Sequence, residues 1–349
     1  MFAIPPPPKP SLPISDALGA ALDLEISAIA REALERIGRT EDIRFSPSNN
    51  RIAIAGYAHA SCFILDVVID RRGERPVVRI NDYVELRSPA GLKAPHGFDF
   101  IDEDTLVVAN REGLVSLFDI SGRQQGERVM TRAPKTVIGR AGLLSAIHSP
   151  GSVAVVRTGP DSAELLVCHN YKHRVSRHPL SLKGSAIRPG GGSIVIERGL
   201  LVPDGVAVSP DQRWIAVSSH LTRCVMIYDR RLRLDRNREP DGRAFGVSYP
   251  HGLRFSPDGK TLYVADAGAP ILARFESADG NWAGPRDATA LYRVLDEATF
   301  EKGRSNIEEG GPKGLDFDAT GTVMAMTCEE QALAFFHVPE LAGAAVRPR

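Results

Sequence analysis

The sequence predicts an all-β protein, a six-bladed β-propeller with an N-terminal helix, and three observations carry that prediction. First, a phrase of the form Pro-x-Gly followed by alternating residues recurs as Pro95-His96-Gly97-Phe98-Asp99-Phe100, Pro203-Asp204-Gly205-Val206-Ala207-Val208, Pro250-His251-Gly252-Leu253-Arg254-Phe255 and Pro312-Lys313-Gly314-Leu315-Asp316-Phe317. Second, each copy leads through a tight polar turn into another β-rich run: Thr105 to Asn110, Trp214 to His220, Thr261 to Asp266 and Thr322 to Thr327. Third, two weaker copies, at Glu41 and Gly151, give x positions at Glu41, His96, Gly151, Asp204, His251 and Lys313, spaced by 55, 55, 53, 47 and 62 residues. That period is the length of one four-stranded blade with its loops.

Along the chain, residues 1 to 13 read as a proline-rich extended arm. Ser15 is the predicted N-cap of a helix over about residues 16 to 37, with Leu18, Leu22, Ile26, Ile29, Ala33 and Ile37 as its apolar stripe and Gly38 as its stop. Residues 1 to 40 therefore stand apart from a propeller over 41 to 349. Third strands are expected at Cys62 to Ile69, Leu114 to Ile120, Arg174 to His178, Cys224 to Asp229, Ile271 to Phe275 and Ala332 to Val338. Fourth strands are less marked, with Val77 to Ile80 and Ser193 to Glu197 the best. Ser256-Pro257-Asp258-Gly259 and Ser209-Pro210-Asp211-Gln212 supply turn chemistry between first and second strands. The glycine after x is expected to let the chain bend into the inner strand. Residues 277 to 311 form the longest insertion, with a short helix around Asp296 to Lys302. Ring closure is left to either the N-terminal arm or Ala344 to Val346.

Composition narrows the function. The chain has 43 basic and 43 acidic residues and no basic block, so nothing points to nucleic acid or an anionic membrane surface. It has no secretory signal pattern and no apolar run of bilayer length. Cys62, Cys168, Cys224 and Cys328 are widely spaced and read as buried free thiols of a reducing compartment, so a cytoplasmic location is expected. Gly-x-Ser-x-Gly, His-Glu-x-x-His, Cys-x-x-Cys and P-loop signatures are absent from the sequence. The partner is expected to be a small-molecule substrate; the oligomeric state is open.

In a propeller blade the start of the first strand and the end of the second lie on one face. That places Glu41, His96, Asp204, His251 and Lys313 around the channel mouth, with Asn110, His169, Asn170, His220, Asp266 and Glu329 close by. Imidazoles and carboxylates converging on one point form the ligand set of a divalent metal, with calcium, magnesium, manganese and zinc all open. Glu41, His96, Asp204 and His251 are the candidate ligands; Asp266, His220 and Glu329 are candidate general bases. Asn110, His169, Asn170 and Lys313 are candidate substrate contacts, with Glu308 or Glu309 as alternative partners for Lys313. Arg111 and Arg223 read as solvated loop charges.

At these residues the chain resembles the six-bladed propellers of the gluconolactonase and regucalcin superfamily, with strictosidine-synthase-like and NHL-repeat proteins as relatives. The resemblance covers roughly residues 41 to 338. It implies a divalent cation at the channel mouth that polarises a lactone carbonyl. Glu41 matches the N-terminal glutamate ligand of that superfamily; Asp204 stands where it has an asparagine, His251 where it has an aspartate, and Gly151 in place of a further polar residue. His96 and His251 are also similar to the axial zinc-binding histidines of the peptidyl-hydroxyglycine lyases. The resulting expectation is a metal-dependent, lactonase-like hydrolase. A non-catalytic binding propeller and a lyase or cyclase of a biosynthetic pathway are the alternatives.

Overall fold

A computed structural model describes residues 12–143, 145–184 and 186–344. Six antiparallel sheets follow one another along the chain. Blade 1 is built from Thr40–Phe45, Arg51–Gly56, Ser61–Asp70 and Val77–Arg87; blade 2 from Pro95–Asp102, Thr105–Asn110, Val115–Asp119 and Thr136–Ile138. In blade 3, Pro150–Gly159, Ser162–His169 and Arg174–Ser181 are followed by Arg188–Pro189 and Ser193–Ile196, which share the outer edge. Blade 4 contains Pro203–Val208, Trp214–Ser219, Cys224–Asp229 and Gly242–Phe245; blade 5 contains Pro250–Phe255, Thr261–Asp266, Ile271–Glu276 and Ala290–Arg293. Blade 6 contributes Pro312–Phe317, Val323–Cys328 and Ala334–His337. Each inner strand packs against the next, and that of blade 6 against that of blade 1, so the ring closes. The apolar core is divided accordingly into six clusters, one in each gap between neighbouring blades. All four cysteines are buried and free.

The N-terminal segment departs from the expected long helix. Only Ala28–Ile37 is α-helical (α1), and its N-cap is Ser27, whose Oγ accepts from Ala30 N–H at 3.2 Å; Gly38 does end it, at φ +66°. Ahead of it, Ile14–Asp16 and Leu24–Ile26 are extended, with a 3₁₀ turn at Leu18–Ala20 between them, because three blades offer the segment unpaired outer edges. Ile14–Asp16 pairs in parallel with the fourth strand of blade 5, and Leu24–Ile26 pairs in parallel with that of blade 1. Between them Ala21 bridges Phe336 of blade 6, and Leu22 N–H donates to Phe335 O at 2.8 Å. Backbone pairing that only the assembled ring can offer outweighs the helical spacing. This segment supplies the fourth position of blade 6; residues 345 and 346 lie outside the described residues, as do 1–11 of the expected arm. The predicted helix in the long insertion is present as Glu297–Gly303 (α2), capped by Asp296. A third helix, Val338–Ala344 (α3), follows blade 6. No helix among the described residues is long and apolar enough to cross a membrane.

Every inner strand carries a register shift at the x residue: between Thr40 and Ile43, Pro95 and Gly97, Pro150 and Ser152, Pro203 and Gly205, Pro250 and Leu253, and Pro312 and Leu315. A bulge re-aims the side chain on it. Without it, x and the residue three further on would face opposite sides of the strand; with it, both Glu41 and Arg44, or His251 and Arg254, line the channel. The glycine after x also has a different reason from a bend, since Gly97, Gly205, Gly252 and Gly314 all keep negative φ. A Cβ on Gly314 would lie 2.6 Å from Asp42 Cα, and one on Gly97 2.7 Å from Ser152 Cα, while Gly205 and Gly252 abut His251 O and Lys313 O. At these four positions the inner strands approach so closely around the axis that only hydrogen fits.

Candidate metal centre at the channel mouth

The six x positions deliver Glu41, His96, Asp204, His251 and Lys313 to one buried cluster. Glu41 Oε2 lies 3.5 Å from both His96 Nε2 and His251 Nε2. Asp204 Oδ2 is 3.5 Å from His251 Nε2, and Asp204 Oδ1 is 3.9 Å from His96 Nε2. The two imidazoles stack at 5.3 Å between centroids. Glu41, His96 and His251 each offer a ligand atom within 4.8 Å of the others. A cation with bonds of about 2.1 Å sets neighbouring ligand atoms about 3.0 to 3.5 Å apart, in octahedral and tetrahedral geometry respectively. The two Glu41–imidazole spacings and the Asp204–His251 spacing, all 3.5 Å, are close to the tetrahedral value, and the Asp204–His96 spacing is wider at 3.9 Å. Glu41 Oε2 is buried, and among the described residues it has no hydrogen-bond partner beyond its ion pair with Lys313 at 3.2 Å. His96 Nδ1 faces Gly151 O at 2.7 Å, and since a carbonyl only accepts, Nδ1 carries the proton and Nε2 turns its lone pair to the cluster.

The x residue of blade 6, Lys313, faces Glu41 Oε1 and Oε2 at 3.3 and 3.2 Å and Glu309 Oε2 at 2.6 Å, so both the glutamate partnership expected from sequence and one with Glu41 are present. Arg39 bonds Glu41 and reaches Glu309 at 3.2 Å and Glu329 at 3.1 Å. Burial opposes ionisation of Glu41, but Lys313, and behind it the other cationic neighbours, hold the carboxyl well below its ordinary value. Burial likewise opposes charge on Lys313, yet Glu41 and Glu309 outweigh it and raise the amine above its ordinary value. Asp204 is held below the usual carboxylate range because His251 and Arg111 outweigh its burial. Burial, reinforced by Arg111, pushes His96 down to about 3, so it is a neutral imidazole.

Blade 3 has no x side chain, and Asn170 takes the space. A Cβ on Gly151 would fall on the Asn170 amide, whose Nδ2 donates to Asp204 Oδ1. Above the cluster opens a cavity of about 410 Å³, lined among others by Tyr57, Arg111, Tyr171, His220 and Glu308. His220 sits between Asp204 Oδ2 at 3.8 Å and Glu308 Oε2 at 3.5 Å. Burial disfavours its protonated form, but Glu308 and Asp204 outweigh this and raise its pKa.

Other sequence-predicted residues are placed away from the cavity. Asp266 is buried, and its carboxylate accepts from Ser248, Tyr249 and Gly268 N–H. Asn110 ties its loop through Lys93 N–H, Gly91 O and Leu114 O. His169 bonds Ser176 Oγ at 2.7 Å inside blade 3. Glu329, ion-paired to Arg39 and 3.7 Å from Lys313, faces a separate surface cavity beside α1 and α2. Arg111 and Arg223 are not solvated loop charges. Arg111 Nη2 bonds His96 Nε2 and lies 3.3 Å from Asp204 Oδ1, and Arg223 Nη2 donates to Tyr249 Oη at 3.1 Å. Sequence reasoning also missed Arg39 and Tyr57. The available signal was the repeat itself: Tyr57, Arg111, Asn170 and His220 each follow the last residue of a second strand.

No family model matches the chain, and no curated protein matches it. Solved structures do. A functionally unknown protein from Desulfotomaculum acetoxidans superposes with a TM-score of 0.53 at 12% identity, over 86% of this chain and 83% of that one. Kuenenia stuttgartiensis hydrazine synthase gives a TM-score of 0.52 at 15% identity, over 90% of this chain and 81% of that one. At such identities the likeness is one of fold, and the chain is a six-bladed β-propeller.

Proposed function

We propose that the chain is a metal-dependent hydrolase of the lactonase-like kind, acting on a small polar molecule at the channel mouth. The observation that carries this is the convergence of Glu41 Oε2, His96 Nε2 and His251 Nε2, with Asp204 beside them, at spacings a single transition-type cation would span. Two imidazoles with carboxylates favour zinc, iron or manganese over calcium. A cation bound there would supply Lewis-acid polarisation of a substrate carbonyl. His220, whose pKa Glu308 and Asp204 raise against the effect of burial, lines the cavity wall, from which it would donate a proton to a leaving alkoxide. Gly151 O fixes the His96 tautomer.

Metal analysis of protein purified without chelator tests the reading. About one equivalent of a divalent transition ion is expected, falling at least about tenfold in affinity for His251→Ala and Asp204→Asn. Metal-free protein that takes up none on addition would overturn it. A binding-only propeller is the second reading. It is favoured by the ion pairs of Lys313 with Glu41 and of Arg111 with Asp204, which neutralise the carboxylates without a metal. Hydrolysis of a lactone panel, lost in His220→Gln, separates the two; products formed without uptake of water would instead indicate a lyase or cyclase.

A further inference from the structure

Arg111 is the side chain that the metal-centre reading leaves unexplained. It belongs to the loop after the second strand of blade 2, yet its guanidinium reaches the axis. Nη2 donates to the same His96 Nε2 lone pair that would face a cation, and it lies 3.3 Å from Asp204 Oδ1. Its Nε is buried with no acceptor among the described residues. The outer face of the guanidinium lies 5.4 Å from the centroid of Tyr171, a side chain that is 60% exposed at the rim. Unlike Lys313, which is 1% exposed and surrounded by Glu41, Glu309 and Glu329, Arg111 borders the open cavity.

Resting on the proposed metal centre, we infer that Arg111 is an internal stand-in for the cation, displaced when metal binds and then available to the anionic group of a substrate. Two arguments support it. A guanidinium and a divalent ion cannot share one imidazole lone pair, and their charges repel at that distance. The charge count also changes in the right sense. Glu41, Asp204, Glu309 and Glu329 formally face Arg39, Lys313 and Arg111, leaving one negative charge; with Arg111 withdrawn, two remain for a divalent ion. The withdrawn guanidinium keeps its planar fork of donors, which fits a carboxylate bidentately. The substrate class is therefore a small carboxylate-bearing molecule, and metal and anion binding help one another through Arg111.

The test is a Co²⁺ titration followed by visible absorbance and calorimetry, with acetate as the anion probe. Arg111→Gln should bind Co²⁺ about tenfold more tightly than the wild type, and Arg111→Lys should lie between them. Excess acetate should tighten Co²⁺ binding severalfold in the wild type and leave Arg111→Gln unchanged. Equal or weaker Co²⁺ binding by a folded Arg111→Gln, checked by circular dichroism, or an acetate effect that survives the substitution, would overturn the inference while leaving the metal centre standing. Failure of both proteins to bind Co²⁺ would remove the metal centre and the inference together.

Discussion

Gly252 and Asp42 occupy the same step of the repeat in blades 5 and 1, and they answer the crowding at the axis in different ways. Gly252 yields its space to Lys313 O of the next blade. Asp42 instead extends across the gap, and its Oδ2 accepts from Phe98 N–H of blade 2 at 3.2 Å. Ser152 does the same for Val206 N–H at 3.3 Å, and two residues further along the repeat Asp99 and Asp316 accept from Val155 and Phe45 N–H at 2.8 and 2.9 Å. Inner-strand edges that face the channel thus find acceptors on the preceding blade, as buried N–H groups require. Adding a methyl where backbone already touches forces the two blades apart. Gly252→Ala should cost about 1 to 3 kcal/mol in urea unfolding. Gly191→Ala, with nothing within 4 Å of a Cβ there, should stay within about 0.5 kcal/mol of the wild type. Equal urea midpoints for the two variants would contradict this packing account.

Blade 3 shows at the scale of an element how a histidine can resemble a ligand and serve the sheet. His169 on the second strand and His178 on the third share Ser176 Oγ, at 2.7 and 2.8 Å. Burial lowers His169 to about 3 and His178 to about 4. Between pH 7 and pH 5 the unfolded chain takes up protons at these rings that the folded chain does not. Their contribution is therefore complete above about pH 6.5 and is lost as the pH falls, by about 2 kcal/mol per ring at pH 5. Asp99 and Asp316 act with the opposite sign, since burial raises both to about 6 and their ionisation on raising the pH costs stability. The effect is isolated by comparison: between pH 7 and pH 5 the wild type should lose about 2 kcal/mol more than His178→Asn. Parallel pH profiles of the urea midpoint would rule out the assignment. The same blade explains a misplacement from sequence. Tyr57–His59, Asn170–Lys172 and His220–Thr222 are 3₁₀ turns that begin one residue past a second strand. Tyr57 and His220 line the cavity and Asn170 is buried against Asp204, while His169, the last residue of its strand, turns into the blade. Asn110 and Asp266 were legible as strand ends, but the cavity is lined one position later, by Arg111 and Ala267.

For the whole molecule, the decisive device is the N-terminal segment. Residues 14–26 lie along the outer edges of blades 5, 6 and 1, bridging the two ends of the propeller chain. They bury Ala17 and Ala20 against blades 5 and 6, and Leu22 joins the cluster between blades 6 and 1. Removing residues 1–26 should expose three strand edges and part of two core clusters. The expected result is a melting temperature lower by about 5 °C or more, with association through the bared edges. An unchanged melting curve and a monodisperse elution profile unaffected by concentration would show that the ring closes without this segment.

Repetition was enough to determine the architecture from sequence: Pro-x-Gly spacing with polar turns and β-rich second strands is a local signal that recurs four times, with two weaker copies, and rotational symmetry carries the x residues to one axis. Glu41, His96, Asp204 and His251 were therefore legible as a group. Three things belonged to the assembled ring alone. The outer edges recruited residues 14–26 away from a helical pattern, the close inner strands demanded glycine, and neighbouring blades brought Arg39 onto Glu309 and Glu329 and Arg111 onto Asp204. Each depends on contacts between residues tens to hundreds of positions apart, and local periodicity holds no record of such contacts.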